Sequence, residues 1–422
     1  MPGGRPCEHA KSAETETTAL VLDKNKATGV QLSLNLITCG LGTGVFTLPW
    51  STAGASALPA VAIIAAVLAL NAWTISILVE AADRHHTYDL GSLLGHLPGR
   101  LGSTMKVFTN AVLWFSMYLC LIGYIIVIVD CLQTSVPWLS ERGRPSLVVL
   151  AAGLVLPLCF LDQRRLSATS FIAVIANLNI FALVASLFVD KEFAQTAPPT
   201  CWLGVSTGCV AMVTAMMQTV VIQMCVLPMY AEMQHKSPTR FNRVVGLSFG
   251  ALFVLFSLFS VVGYFAFGSG VSSNVLLNLP ATRWGNLARF CAAASVIGVY
   301  PIILGPMIAP VRASLADGES GASSTTIVAA TCFVVAASMC AAFGLHDLGR
   351  LNVINGALSL GTFVAVVPSL VGLHLLGPKS EDGRWRTAMY ALAVGGVLFS
   401  ILGLVLTDNF AAGLEASCAL KA

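Results

Sequence analysis

Three glycines within five residues, Gly40, Gly42 and Gly44, interrupt an apolar, uncharged run, QLSLNLITCGLGTGVFTLPW at 31–50, that closes on Pro49. Glycine weakens a helix by about 1 kcal/mol relative to alanine, and an interior proline by about 3 kcal/mol. In hydrocarbon no water satisfies the freed backbone groups, so such an interruption persists only inside protein or beside a cavity. The chemistry it offers is ionic: unwound amides receive an anion and unwound carbonyls a cation. A glycine-lined packing face is the competing reading. Glycines at i, i+2 and i+4 do not share one face, because Gly42 points away from the other two. The spacing predicts a broken helix with Thr38, Gly40, Leu41, Gly42, Thr43 and Gly44 at its break.

A second constellation lies in MVTAMMQTVVIQMCVLPMYAEMQHKSP, at 212–238. Gln223 sits in the middle of this apolar run with Pro228 five residues on, then Tyr230 and Glu232 near the end. A buried glutamine alone reads as a satisfied interhelical hydrogen bond, and a lone proline as a bend. Together, opposite a glycine break, they read as a second interruption. Asp130 closes another apolar run, where it serves as an anchor, a partner for Arg289, or a titratable gate. Glu80 and Glu232 fall at helix ends, solvated or paired with Arg84 or Lys236. His374 reads as a packed interfacial histidine, and the adjacent His85 and His86 do not make a metal site.

The elements that position these residues are membrane spans. Of 422 residues 56% are hydrophobic and 10% charged, against about 25% charged in soluble domains. Mean hydropathy is +0.82. A spanning helix needs about 20 apolar residues, and roughly eleven such runs occur: 31–52, 56–80, 104–132, 145–161, 168–189, 207–231, 243–268, 286–312, 324–345, 351–376 and 387–407. Residues 1–28 read as a polar cytosolic tail without the apolar core of a cleavable signal. Most of the 23 Lys and Arg residues then fall on the cytosolic side, leaving Arg142, Arg144, Lys191, Arg283, Arg289, Arg350 and Lys421 opposite. This bias agrees with a cytosolic N-terminus and an outer or luminal tail at 408–422. Nothing in the charge suggests nucleic acid; the partners expected are a small molecule and the bilayer. Most of the twelve cysteines lie in apolar runs as small hydrophobes. Cys131, Cys201 and Cys209 fall near the outer face, where one bridge can form without the sequence choosing the pair.

Several segments carry a family likeness. NLITCGLGTGVFTLPW at 35–50, TYDLGSLLG at 87–95, GYIIVIVD at 123–130, VLPMYAEMQHKSPTRF at 226–241 and FGSGVSSNVLLNLP at 267–280 occur in order and at family-like spacing. In these segments the chain resembles the amino acid/auxin permease family, especially its neutral and vacuolar amino acid transporter branches. The resemblance implies an all-α polytopic fold with two inverted five-helix repeats, about 31–189 and 207–376. The first and sixth helices are broken, and an extra helix is appended at 387–407, completing a transporter domain at 29–407. It also implies alternating-access symport of an amino acid with sodium or protons, and no bound cofactor or metal.

Physical reading and resemblance then agree on the site. Amides around Gly40, Leu41, Gly42 and Thr43 would receive the α-carboxylate. The Thr38 hydroxyl, the Gln223 amide oxygen and free carbonyls would take the α-amino group. No acidic residue is placed for a cationic side chain, so a small or medium neutral substrate is expected. Sodium-coupled members carry Asn where this chain has Thr38, and hydroxyls on the eighth helix where it has Ser295, Ile297, Gly298 and Val299. Thr38, Ser295 and Asp130 are the ion-coupling candidates, with protons placed ahead of sodium. An enzyme is not indicated: the chain has no nucleophile elbow, no zinc-binding histidine pair and no intramembrane carboxylate cluster. The alternatives are an amino acid sensor of the same fold and a transporter of another small nitrogenous solute.

Overall fold

The computed structural model describes residues 26–136, 138, 141, 143–160, 167–190, 199–316, 322–409, 411, 414 and 417–421. The tail up to residue 25 lies outside them. All eleven apolar runs are helical. In chain order they are α1 (Gly29–Gly40) with α2 (Leu48–Ala55), α3 (Ala57–His85), α4 (Arg100–Ser135), α5 (Arg144–Val155) and α6 (Ser167–Val189). Then follow α7 (Gly208–Val220) with α8 (Gln223–Ala231), α9 (Pro238–Phe267), α10 (Arg283–Ala316), α11 (Ala322–Gly344), α12 (Leu348–Ser359) with α13 (Val367–His374), and α14 (Gly383–Val405). Spans 1, 6 and 10 are each built of two helices.

The first break lies where the glycines put it. α1 ends at Gly40, a 3-10 segment runs Thr43–Thr47, and the two halves of span 1 are bent by 46°. Thr28 caps α1 through a reciprocal pair of bonds with Gln31, satisfying two orphan amides at its start. The second break lies beside Gln223 rather than at Pro228, the other residue that marked it. It falls at Val221 and Ile222, and α8 runs through Pro228. Thr219, Val220, Val221 and Ile222 are four β-branched residues in succession, each restricted against the preceding helical turn. Span 10 carries a π-helical segment, Leu360–Val366, just before Pro368, whose missing amide disturbs the ladder there.

The two halves of span 1 are buried differently. All eight residues of α2 are buried, whereas α1 buries Leu32, Leu36 and Gly40 alone. Those three lie at i, i+4 and i+8, one stripe that faces α9: an added Cβ at Gly40 would come 2.8 Å from the Leu252 side chain. Gln31, Asn35, Cys39 and Gly42 form a second, exposed stripe along α1 and its end.

The disulfide departs from the expected cysteine pairing. Cys131 and Cys209 are free, and the bridge joins Cys201 to Cys418 with Cα atoms 5.9 Å apart. The C-terminal segment turns back after α14, so that β2 (Cys418–Lys421) pairs antiparallel with β1 (Cys201–Gly204). A bridge across 217 positions is invisible to any reading that places the C-terminal tail away from the helices. On the opposite face, Glu80 pairs with Lys379 at 2.6 Å rather than with Arg84.

Candidate functional site

The two breaks meet. An added Cβ at Gly44 would lie 2.7 Å from the Thr219 hydroxyl and 3.1 Å from its Cα. Only glycine therefore lets span 1 approach α7 this closely. Gly44 follows one break by two residues, and Thr219 precedes the other by two. Four helix ends thus converge: the C-termini of α1 and α7, which carry negative partial charge, and the N-terminal turns after both breaks, which carry positive. A zwitterion meets both signs there.

The Leu41 amide is committed to α1, donating to the carbonyls of Ile37 and Thr38 at 3.1 and 3.2 Å, so it leaves the expected carboxylate-binding set. Val45 is the first amide of the outer half to find a carbonyl, that of Gly42 at 3.2 Å. The amides of Gly42, Thr43 and Gly44 precede the hydrogen-bonded turns. Gly42 has open space where a Cβ would stand. The Leu41 carbonyl is held by Asn177 on α6, whose Nδ2 donates to it at 2.8 Å. Thr38 donates its hydroxyl proton to Leu34 at 2.8 Å, which leaves its oxygen able to accept.

Gln223 is fully buried at the first position of α8. The Nδ2 of Asn71 donates to the Val67 carbonyl at 2.8 Å, so its Oδ1 accepts, and Gln223 Nε2 donates to it at 2.7 Å. A longer contact of 3.4 Å reaches Thr74. This chain of donors fixes the amide orientation and leaves Gln223 Oε1, buried, without a hydrogen bond among the described residues. An unmet buried acceptor costs about 1–3 kcal/mol; a bound ammonium group would remove that cost.

Sequence reading missed four buried asparagines: Asn71, Asn177, Asn352 and Asn355. Asn355 Nδ2 donates to the Ser116 carbonyl at 3.1 Å and its Oδ1 accepts from the Ser116 hydroxyl at 2.7 Å. Asn352 Nδ2 reaches the Thr47 hydroxyl at 3.4 Å. Asn352 and Asn355 lie at i and i+3, a polar pair on one face of an apolar span, which was the available signal. Asn71 and Asn177 carried none beyond being polar in hydrocarbon.

No hydrogen bond joins the ion-coupling candidates to one another among the described residues. Ser295 is buried on α10 and makes no hydrogen bond to either break. Asp130 is the one buried carboxylate among the described residues, 4% exposed. Its partner is Arg144 at 3.1 Å and not Arg289, and Asn274 Nδ2 donates to its other oxygen at 3.0 Å. Arg289 instead donates to the carbonyls of Leu276 and Leu279 and to the Asn286 side chain. Asp130 therefore ties the C-terminal end of span 3 to span 4 and to the loop before span 8.

Breaks in the first and sixth spans, facing each other inside two five-helix repeats, define the broken-helix fold of secondary transporters. A solved structure titled "Inward facing conformation of Mhp1" superposes with a TM-score of 0.61 at 13% identity, covering 93% of this chain and 91% of that one. The chain belongs to the family of transmembrane amino acid transporter proteins, whose profile matches residues 25–407. Relatives include the Danio rerio protein named "Putative sodium-coupled neutral amino acid transporter 11", 23% identical over 90% of this chain and 86% of that one. Amino acid transporter AVT1I of Arabidopsis thaliana is 23% identical over 86% of this chain and 90% of that one. Vacuolar amino acid transporter 2 of Saccharomyces cerevisiae is 20% identical over 92% of this chain and 85% of that one. Membership places the chain among transporters rather than enzymes.

Proposed function

We propose that this chain carries small or medium neutral amino acids by alternating access, with the zwitterion held between the two breaks. The observation that carries this is the juxtaposition of Gly44 with Thr219, which brings four helix ends of both signs together. The α-carboxylate meets the amides of Gly42, Thr43 and Gly44. The α-ammonium meets Gln223 Oε1, the Thr38 oxygen and the carbonyls that end α1. Among the described residues no carboxylate is buried beside the breaks, which favours a neutral side chain, and the name of the Danio rerio relative agrees.

Coupling is to a cation, with protons favoured over sodium. Sodium wants several hard oxygen ligands in one place, and Thr38 and Ser295 share no hydrogen-bonded cluster. Asp130 is the buried carboxylate among the described residues, facing Arg144 and Asn274. One charge moved across the membrane is worth about 2.3 kcal/mol per 100 mV, roughly fiftyfold in concentration. The basic residues favour a cytosolic N-terminus, in either a plasma membrane or a vacuolar or lysosomal one. Uptake in liposomes by wild type and Gln223→Leu is the test. Saturable transport that falls at least about tenfold in a folded variant supports the site, and unchanged transport removes Gln223 from it.

A further inference from the structure

His85 closes α3, and His96 follows a short helix, Leu90–Leu94, on the way to α4. Between them His86 takes a left-handed φ of 54°, and its amide donates to the Ala82 carbonyl. That turn ends the helix. The chain then returns so that the rings of His85 and His96 stand 5.0 Å apart, centre to centre, with planes inclined by 44°. Each ring is held by one nitrogen. His85 Nε2 donates to the Leu375 carbonyl, just past α13, and His96 Nδ1 donates to the Ser92 carbonyl, both at 3.1 Å. A carbonyl can only accept, so these bonds fix the tautomer of each neutral imidazole. His85 Nδ1 and His96 Nε2 are left with lone pairs, and neither has a partner among the described residues. The His96 amide donates to the Leu93 carbonyl at 3.1 Å, so backbone and ring are tied to the same short helix.

Two neighbouring histidines can be a plain packing contact, and two features argue beyond that. Zinc takes imidazole nitrogen at about 2.0–2.1 Å in a tetrahedron, which sets two coordinating rings about 5 Å apart. A metal-bound histidine almost always donates its other N–H to a carbonyl, a carboxylate or water, and both rings are already held in that way. The C-terminal end of α3 carries negative partial charge, which favours a cation. His96 is exposed and His85 half-buried, so a hydrated ion reaches the pair. We propose that His85 and His96 form a two-imidazole site for a borderline divalent cation, zinc foremost. Imidazole nitrogen selects such ions over magnesium and calcium, which prefer oxygen. Among the described residues no third His, Cys, Asp or Glu joins the pair, so water fills the other positions. A bound ion joins the end of span 2 to the segment before span 3. Through the bond from His85 to Leu375 it also stiffens the end of span 10.

The site stands apart from the two breaks and from the transport reading, so uptake is not its test. Full-length protein in detergent is treated with diethyl pyrocarbonate, which acylates a free imidazole nitrogen. Each modified histidine is located by mass spectrometry. Zinc chloride is titrated in, with magnesium chloride for comparison and the exposed His86 as internal control. The proposal predicts that zinc protects His85 and His96 with one shared midpoint, while His86 keeps its rate and magnesium protects neither. At about ten times that midpoint, mass action leaves roughly a tenth of the sites free, so both rings label about tenfold more slowly. Protection of neither ring, of one alone, or of His86 equally overturns the site, as does protection by magnesium. In a folded His96→Gln protein zinc no longer protects His85, and protection that persists there overturns it too. If that variant does not fold, the wild-type titration decides alone.

Discussion

At the residue scale, Gly42 and Gly44 are both glycines for different reasons, and the difference is measurable. Gly44 packs on the Thr219 backbone, so Gly44→Ala forces the two breaks apart at a cost of about 1–3 kcal/mol, read as a lowered Tm. Gly42 faces open space, so Gly42→Val leaves stability nearly unchanged. Its side chain stands where the carboxylate is expected. Losing one or two charge-assisted bonds at about 1.5–3 kcal/mol each lowers uptake at least about tenfold. A folded Gly42→Val protein with wild-type uptake would contradict the unwound-site account. Asn71 acts through Gln223: Asn71→Leu frees the glutamine amide to turn, which predicts a raised KM for uptake with little change in maximal rate. An equal loss in Asn71→Leu and Gln223→Leu would mean that the orientation of Gln223 is everything its side chain contributes.

At the element scale, the helices were legible and their interruptions partly so. Apolar runs of about 20 residues are a composition signal that hydrocarbon enforces, so all eleven helices lie where the runs do. The first break followed from three glycines whose positions forbid a common face. The second was expected in its span from Gln223 and Pro228 together; it falls just before Gln223, after four β-branched residues, while Pro228 stays inside α8. Asn177 was not legible as a site residue. Its role depends on α6 passing the Leu41 carbonyl, and packing between distant spans leaves no mark on local pattern. Asn177→Leu strands that carbonyl and should cost about 1–3 kcal/mol, seen as earlier thermal unfolding in detergent. If stability and uptake both hold, Asn177 is not a prop for the break.

At the scale of the whole molecule, the two halves of span 1 differ in burial, α2 being enclosed on all sides and α1 along one stripe only. Of the three cysteines expected to pair, Cys131, Cys201 and Cys209, only Cys201 is bridged, and its partner is Cys418, because β2 of the C-terminal segment pairs with β1. Asp130 belongs to this scale too. Both of its oxygens are engaged, by Arg144 and Asn274, so protonation would loosen the contact between spans 3 and 4 and the loop before span 8. Asp130→Asn removes the titratable group while keeping the shape. The proton reading predicts that uptake in this variant no longer varies with outer pH, and retained pH dependence would assign the sensing elsewhere.

The most direct measurement is uptake of labelled neutral amino acids by purified protein in liposomes, with a pH gradient and a sodium gradient imposed separately. The account predicts accumulation above equilibrium driven by the pH gradient. Saturable binding without flux under either gradient would contradict the transporter account and favour a sensor of the same fold.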